Sequence, residues 1–308
     1  MTVVAFDPLR DKSYRQTALG RDVADFLAWK ELGGASPRTL DDYERYLARG
    51  AIMFPATPLT AWTDAEVLHV AKAMPQRSRR VRMAAYSSFF RWAKQQRRIS
   101  DNPMDYVPRI KRQQQKIIDV FSEDEVDALL ALPTRDAAPL AVLLEAGLRK
   151  TEARNLLWRN SSLKRRRVTV KNGKGGKDRE IPMSARLAQL LAQLALDEDL
   201  KPEDHILYSE RAGGWAAGYW RKTYRNSPQG SGTFARWWRR CLEEAGVRYR
   251  NPHTARHTFA TTWRNRGLAA DDLQILLGHA SIQTTVDLYF HTSVEDVAAR
   301  MALIEEAE

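Results

Sequence analysis

The chain has one cysteine, Cys241, in 308 residues, so no intramolecular disulfide can form and a cysteine-rich zinc module is excluded. A lone thiol fits a reducing compartment. No run approaches 18 consecutive apolar residues, so no transmembrane helix is expected. The opening stretch, Met1 to Lys12, is mixed in polarity and lacks the apolar core of a secretory signal. These absences point to the cytoplasm. Acidic side chains are in deficit: 38 Asp and Glu stand against 49 Lys and Arg, a formal charge of +11. A soluble chain this basic meets a polyanion, nucleic acid first and an acidic membrane surface second. With 44% hydrophobic and 28% charged residues, disorder, collagen-like repeats and a coiled-coil rod are excluded. At roughly 150 residues per domain, two domains are expected.

What is present is first a series of helices. From Gln16 to Leu32, Ala18, Val23, Phe26, Leu27 and Leu32 mark one apolar face. Ser36-Pro37 is an N-cap followed by proline at the first helical position, and Leu40, Tyr43 and Leu47 continue at helical spacing. Thr63-Asp64-Ala65-Glu66 is a capping box before Val67, Val70, Ala71 and Met74. A fourth helix, Arg77 to Arg98, has Val81, Ala84, Ala85, Phe89 and Trp92 as its apolar set. Its start is strongly basic: Arg77, Arg79, Arg80 and Arg82 are candidate DNA contacts.

Asn102-Pro103 closes this block, which is taken as a domain over residues 1–105. Residues 106–118 are polar, basic and without periodicity, and read as an interdomain linker. Ser122-Glu123-Asp124-Glu125, a second capping box, opens a domain over 119–308. It is mostly helical, with one exception. Arg167 to Lys171 is an alternating β-branched run, Asn172 to Asp178 is turn chemistry, and Arg179 to Pro182 is extended again, which makes a β-hairpin with a basic, glycine-rich tip. Helices resume over Ser184 to Leu196 and near Thr233 to Ala245, with 209–232 as a long loop. The expected class is mostly α with a small β-hairpin or sheet in the C-terminal domain, an α+β arrangement.

Three polar clusters interrupt the helical pattern. Arg149 follows the core-like run Leu140 to Leu144, and Glu152, three residues on, shares its helical face and can brace it. His253-Thr254-Ala255-Arg256-His257 puts two histidines and an arginine on one helix. The histidine pair lacks the Glu of a His-Glu-x-x-His zinc site and has no nearby cysteine, so no metal is expected. Leu277-Gly278-His279 precedes Tyr289 by ten residues. Together, arginines, lysines, histidines and a tyrosine are what metal-free phosphodiester chemistry requires. Guanidinium forks match phosphate oxygens and stabilise a pentavalent phosphorus. A lysine can protonate a leaving alkoxide. A phenol can attack and conserve the bond as a phosphotyrosine.

With these residues in place, the chain resembles the tyrosine recombinases, the phage integrase family. The resemblance rests on Gly147-Leu148-Arg149 with Glu152, Gly173-Lys174-Gly175-Gly176-Lys177-Asp178-Arg179, His253 to Thr261, and Leu277-Gly278-His279 leading to Tyr289-Phe290-His291. It covers most of the chain: the first domain is similar to the family's helical core-binding domain, and 119–308 to its catalytic domain with a C-terminal helix. It implies a site-specific recombinase that cleaves and rejoins DNA through a 3′-phosphotyrosyl intermediate, integrating or excising a mobile element or phage genome. Xer-like dimer resolution and type IB topoisomerase-like relaxation are the alternatives.

The resemblance also implies roles. Arg149 and Arg256 clamp the scissile phosphate, Lys174 acts as general acid, His253 assists proton transfer, His279 hydrogen-bonds the phosphate, Tyr289 attacks, and Glu152 supports. Lys177 lies close enough to Lys174 to contest its role, and otherwise contacts DNA. His257 and His291 are taken as structural. No cofactor is implied. The expected partners are duplex DNA with inverted-repeat core sites, three further copies of the chain in a tetramer docked through the C-terminal helix (Ser293, Val297, Ala298, Met301, Ile304), and an accessory directionality protein; no membrane is implied. Ala255 stands where the family usually has Leu, and the ten-residue gap before Tyr289 resembles integrases ending in Thr-x-Asp-x-Tyr, here Thr285 to Tyr289. The short stretch before the first helix resembles the simple type without an arm-binding domain.

Overall fold

Both capping boxes form as the sequence predicts. In the computed structural model, the Thr63 N–H donates to Glu66 Oε2 at 2.8 Å and the Ser122 N–H to Glu125 Oε2 at 2.9 Å. The structure describes residues 12–108, 110, 118–171, 178–207, 231–279 and 281–289. It divides into two compact units, residues 1–115 and 116–308.

The first unit holds α1 (Gly20–Leu32), α2 (Pro37–Met53), α3 (Asp64–Lys72) and α4 (Gln76–Gln95). The first helix starts later than its periodicity suggests. Lys12–Gln16 is a 3-10 turn, and the chain then bends tightly into Gly20, where a Cβ would stand 2.1 Å from the Tyr14 carbonyl oxygen. Val23, Phe26, Leu47, Val67, Val70, Phe89 and Phe90 form the core with Tyr14 and Trp62. Two expected core positions are corrected: Leu32 is 90% exposed at a helix end, and Val81 is 64% exposed. The buried stripe of α4 runs through Met83, Tyr86, Phe90 and Ala93 as well as Ala85, Phe89 and Trp92, so its phase is rotated away from Val81 and Ala84. Val107 and Ile110, in the stretch read as linker, pack against this core.

The second unit has α5 (Glu123–Leu130), α6 (Thr134–Leu144), α7 (Lys150–Arg154), α8 (Ala185–Glu198), α9 (Ser231–Glu244), α10 (His253–Asn265), α11 (Ala270–Leu277) and α12 (Ile282–Tyr289). A three-stranded antiparallel sheet, β1 (Ser161–Ser162), β2 (Arg167–Val170) and β3 (Arg179–Pro182), interrupts them. The class is mostly helical with a small sheet, as read from the sequence. The β2–β3 register pairs Val168 with Ile181 and Val170 with Arg179. Val168, Val170 and Ile181 are buried on one face, which is the period-two pattern of a half-buried sheet. The hairpin tip, with Lys174 and Lys177, lies outside the described residues, as do the expected tail helix and most of the 209–232 loop. Leu140 to Leu144 on α6 are buried in the main core. A smaller cluster of Phe259, Ala260, Leu273, Leu277 and Tyr289 joins α10, α11 and α12.

Candidate active site

The C-terminal end of α11 organises the site. A helix end leaves its last carbonyls without intrahelical partners, and the partial negative charge there favours cations. Gly278 ends α11 in the left-handed conformation, with φ +61°. Three consecutive carbonyls then each receive one guanidinium. Arg179 Nε donates to the Leu276 oxygen at 2.9 Å, Arg256 Nη2 donates to the Leu277 oxygen, and Arg149 Nη2 donates to the Gly278 oxygen at 3.0 Å. Arg256 also donates through Nη1 to the Gly147 carbonyl at 2.9 Å. Gly147, at φ +60°, is itself obligatory, because a Cβ there would lie 2.5 Å from Phe259 Cδ1.

Arg149 is not inside a helix but at the N-cap of α7, so the three-residue spacing to Glu152 works as cap geometry rather than as a helical face. The Arg149 N–H donates to Glu152 Oε2 at 2.8 Å, and its guanidinium to Oε1 at 2.7 Å. Arg179 grips the same carboxylate with two bonds, of 2.9 and 2.8 Å. Burial by itself raises the Glu152 pKa, but hydrogen bonds from Arg179 and Arg149 more than offset it and hold the carboxyl down at about 2.

Arg256 is 1% exposed, and no carboxylate forms an ion pair with it among the described residues. Burial, with Arg149 and Arg179 adding repulsion, pushes its guanidinium down to about 9. Among the described residues, three arginines share one carboxylate, which leaves two positive charges uncompensated there. Such a cluster is costly unless an anion completes it.

The histidines line the same place. His253 opens α10, with its N–H held by Asn251 Oδ1 at 2.7 Å. Burial, then Arg256 and Arg149, lower its pKa. His279 Nδ1 lies 2.9 Å from Thr285 Oγ1, and burial with the arginines brings the ring down to about 4. Tyr289 is buried at the end of α12, its phenol pushed up to about 12 by burial. Its Oη lies 2.7 Å from His257 Nδ1. The His253 and His257 rings meet edge to face at 4.7 Å.

Arg149, Glu152, His253, Arg256, His279 and Tyr289 are thus brought together from α7, α10, α11 and α12, while Lys174 and Lys177 fall outside the described residues. Sequence reasoning missed two members. Arg179, read as strand, is the second holder of Glu152; its signal was a basic residue directly after a glycine-rich turn. His257, read as structural, is in hydrogen-bond contact with the tyrosine; its signal was its position four residues after His253. Among the described residues, no group of three or more His, Cys, Asp or Glu is placed so that it could hold a metal ion. Of the basic start of α4, Arg77 and Arg80 are exposed, whereas Arg79 donates to the Met74 carbonyl at 3.1 Å and Arg82 lies over the Tyr46 ring at 5.6 Å.

The phage integrase family model matches residues 111–296. The chain belongs to the phage integrase family. The tyrosine recombinase XerC of Proteus mirabilis is 30% identical, with 85% of this chain and 86% of that protein covered. XerC of Pelobacter propionicus is 31% identical over 84% and 86%. Among solved structures, the Tn1549 transposon integrase in complex with a circular intermediate DNA has the same fold, at TM-score 0.67, 18% identity, and 92% and 99% coverage. XerH recombinase bound to a palindromic difH substrate aligns at TM-score 0.63, 18% identity, and 90% and 82% coverage. This family member is a site-specific recombinase that breaks and rejoins DNA, and DNA is its partner. No described helix is long and apolar enough to cross a membrane.

Proposed function

We propose that Tyr289 attacks one backbone phosphorus held between Arg149 and Arg256, giving a 3′-phosphotyrosyl link and a free 5′ hydroxyl. The observation that carries this reading is the gathering of Arg149, Arg179 and Arg256 on three successive carbonyls with Glu152 the one carboxylate paired with them among the described residues. The surplus of two positive charges matches the charge that builds on a pentavalent phosphorus as it is attacked. Glu152 fixes the Arg149 fork, His279 hydrogen-bonds the phosphate, and His253 assists proton transfer. Lys174, on the hairpin that β2 and β3 hold up, protonates the 5′ oxygen, with Lys177 as the other candidate. No step needs a metal ion or cofactor.

In this reading residues 1–105 form the core-binding domain, 106–118 the linker and 119–308 the catalytic domain. The exposed Arg77 and Arg80 contact DNA phosphates. Four copies assemble on two inverted-repeat core sites in the cytoplasm, with the tail after Tyr289 docked on a neighbour and an accessory protein setting direction. The setting is integration or excision of a mobile element, in keeping with the family model. The near full-length likeness to XerC favours the Xer-like reading as the second. A core-site duplex nicked beside the exchange point tests the chemistry: the chain traps a covalent adduct and Tyr289→Phe traps none while binding DNA equally. Binding without an adduct from the unsubstituted chain makes it a noncatalytic DNA-binding protein. Supercoil relaxation with no recombinant product makes it topoisomerase-like.

A further inference from the structure

Besides attacking phosphorus, the Tyr289 oxygen must lose its proton, and the polar group it touches is His257, not His253. Nδ1 of His257 and Oη of Tyr289 are 2.7 Å apart, and the rings are 5.6 Å apart between centroids. Tyr289 is buried and His257 is half-buried, its ring also meeting that of His253 edge to face. His257 sits on α10 one residue after the buried Arg256, and Tyr289 belongs to the apolar cluster with Phe259, Leu273 and Leu277. From this geometry we infer that His257 is a catalytic residue: Nδ1 accepts the phenolic proton as Tyr289 attacks, and returns it when the strand is rejoined. The inference rests on the phosphotyrosyl reading above.

The step balances. The O–H bond of Tyr289 breaks as its oxygen bonds phosphorus, and its proton moves to Nδ1. The phosphorus–5′-oxygen bond breaks, and that oxygen takes a proton from the hairpin lysine. In rejoining, the 5′ hydroxyl attacks and gives its proton back to the hairpin lysine, while the departing phenolate recovers its proton from the imidazolium. The charged and titratable groups facing His257 are His253 and Arg256 on its own helix and Tyr289 from α12. Burial, with His253 and Arg256, keeps the ring neutral, and burial keeps the phenol protonated. In the tautomer with its proton on Nε2 the phenol donates and Nδ1 accepts, and this is the tautomer the inference requires. Transfer is unfavourable at rest and becomes favourable only as the oxygen bonds phosphorus and turns acidic. The phenol therefore stays neutral until a phosphate is in line.

The test uses the full chain and a nicked core-site duplex in single turnover. His257→Gln keeps a polar tip but cannot carry the proton. Adduct formation is expected to fall about 100-fold or more, with DNA binding and the unfolding midpoint unchanged. Its rate should rise about tenfold per pH unit from pH 7 to 9, as hydroxide replaces the lost base, where the unsubstituted chain stays flat. A rate within threefold of the unsubstituted chain and a flat profile overturns the inference. So does the slope appearing in His253→Gln and not in His257→Gln. Should His257→Gln not fold, ¹⁵N-histidine NMR of the unsubstituted chain decides: Nδ1 bare and Nε2 protonated supports the inference, and Nδ1 protonated overturns it. Absence of any adduct from the unsubstituted chain fails the phosphotyrosyl reading itself, and the inference with it.

Discussion

Arg149 and Arg256 lie more than a hundred residues apart in the chain and donate to adjacent carbonyls, of Gly278 and Leu277, at the end of one helix. Arg256 also bonds the carbonyl of Gly147, two residues before Arg149. The spacing of the two forks is therefore set by backbone, and backbone moves little when side chains repack. This rigidity is what transition-state binding requires, because donors that are already aimed cost no reorganisation during reaction.

Glu152 should report on this clamp through pH. Its pKa is depressed to about 2 from 4.5, so its stabilisation is complete above pH 4.5 and is lost as pH falls through 2. The side chain is 8% exposed, and the shift corresponds to about 3 kcal/mol. Glu152→Gln should lose that acid-dependent component in unfolding curves measured between pH 5 and 2. At pH 7 it should lower cleavage more than it lowers DNA binding, since Arg149 and Arg179 lose their shared anchor.

Gly147→Ala combines a left-handed backbone with a Cβ 2.5 Å from Phe259. The expected loss is about 2 kcal/mol or more, a fall in Tm of about 4–8 °C. A thermal melt measures it. Gly246→Ala is the control: its φ is +66° but nothing stands within 4 Å, so only the backbone contribution should remain.

Salt titrations separate the arginines of α4. Arg77→Ala or Arg80→Ala should each reduce the slope of log binding constant against log salt by about 1. Arg79→Ala should instead lower stability, because it removes the bond to the Met74 carbonyl.

Much of this was legible in the sequence. Ser122 and Thr63 announce helix starts because a cap is a local event, decided within four residues. The β2–β3 hairpin was legible because alternation and turn residues are also local. The phase of α4 was not: Val81 and Met83 are both apolar, and which faces the core depends on α1 and α2, which pack against it. For the site, residue types and order marked Arg149, His253, Arg256, His279 and Tyr289. Local signals drew attention to Arg179 and His257 but could not name their partners, Glu152, 27 residues away, and Tyr289, 32 residues away. Both are long-range pairings made by tertiary packing: the first joins β3 to α7 and the second joins α10 to α12.

The two hairpin lysines are distinguished by leaving-group chemistry. Replacing the bridging 5′ oxygen with sulfur makes a leaving group that needs no proton. Lys174→Ala should lose at least about 100-fold on ordinary DNA and recover most of it on the sulfur substrate. Lys177→Ala should weaken binding and show no such recovery; the opposite pattern exchanges the two roles.

The most direct measurement is mass spectrometry of the adduct trapped on a nicked core-site duplex. After protease and nuclease digestion, the account predicts a nucleotide joined through its 3′ phosphate to the peptide containing Tyr289, and to no other peptide. A nucleotide on another side chain, or attachment through a 5′ phosphate, would contradict it.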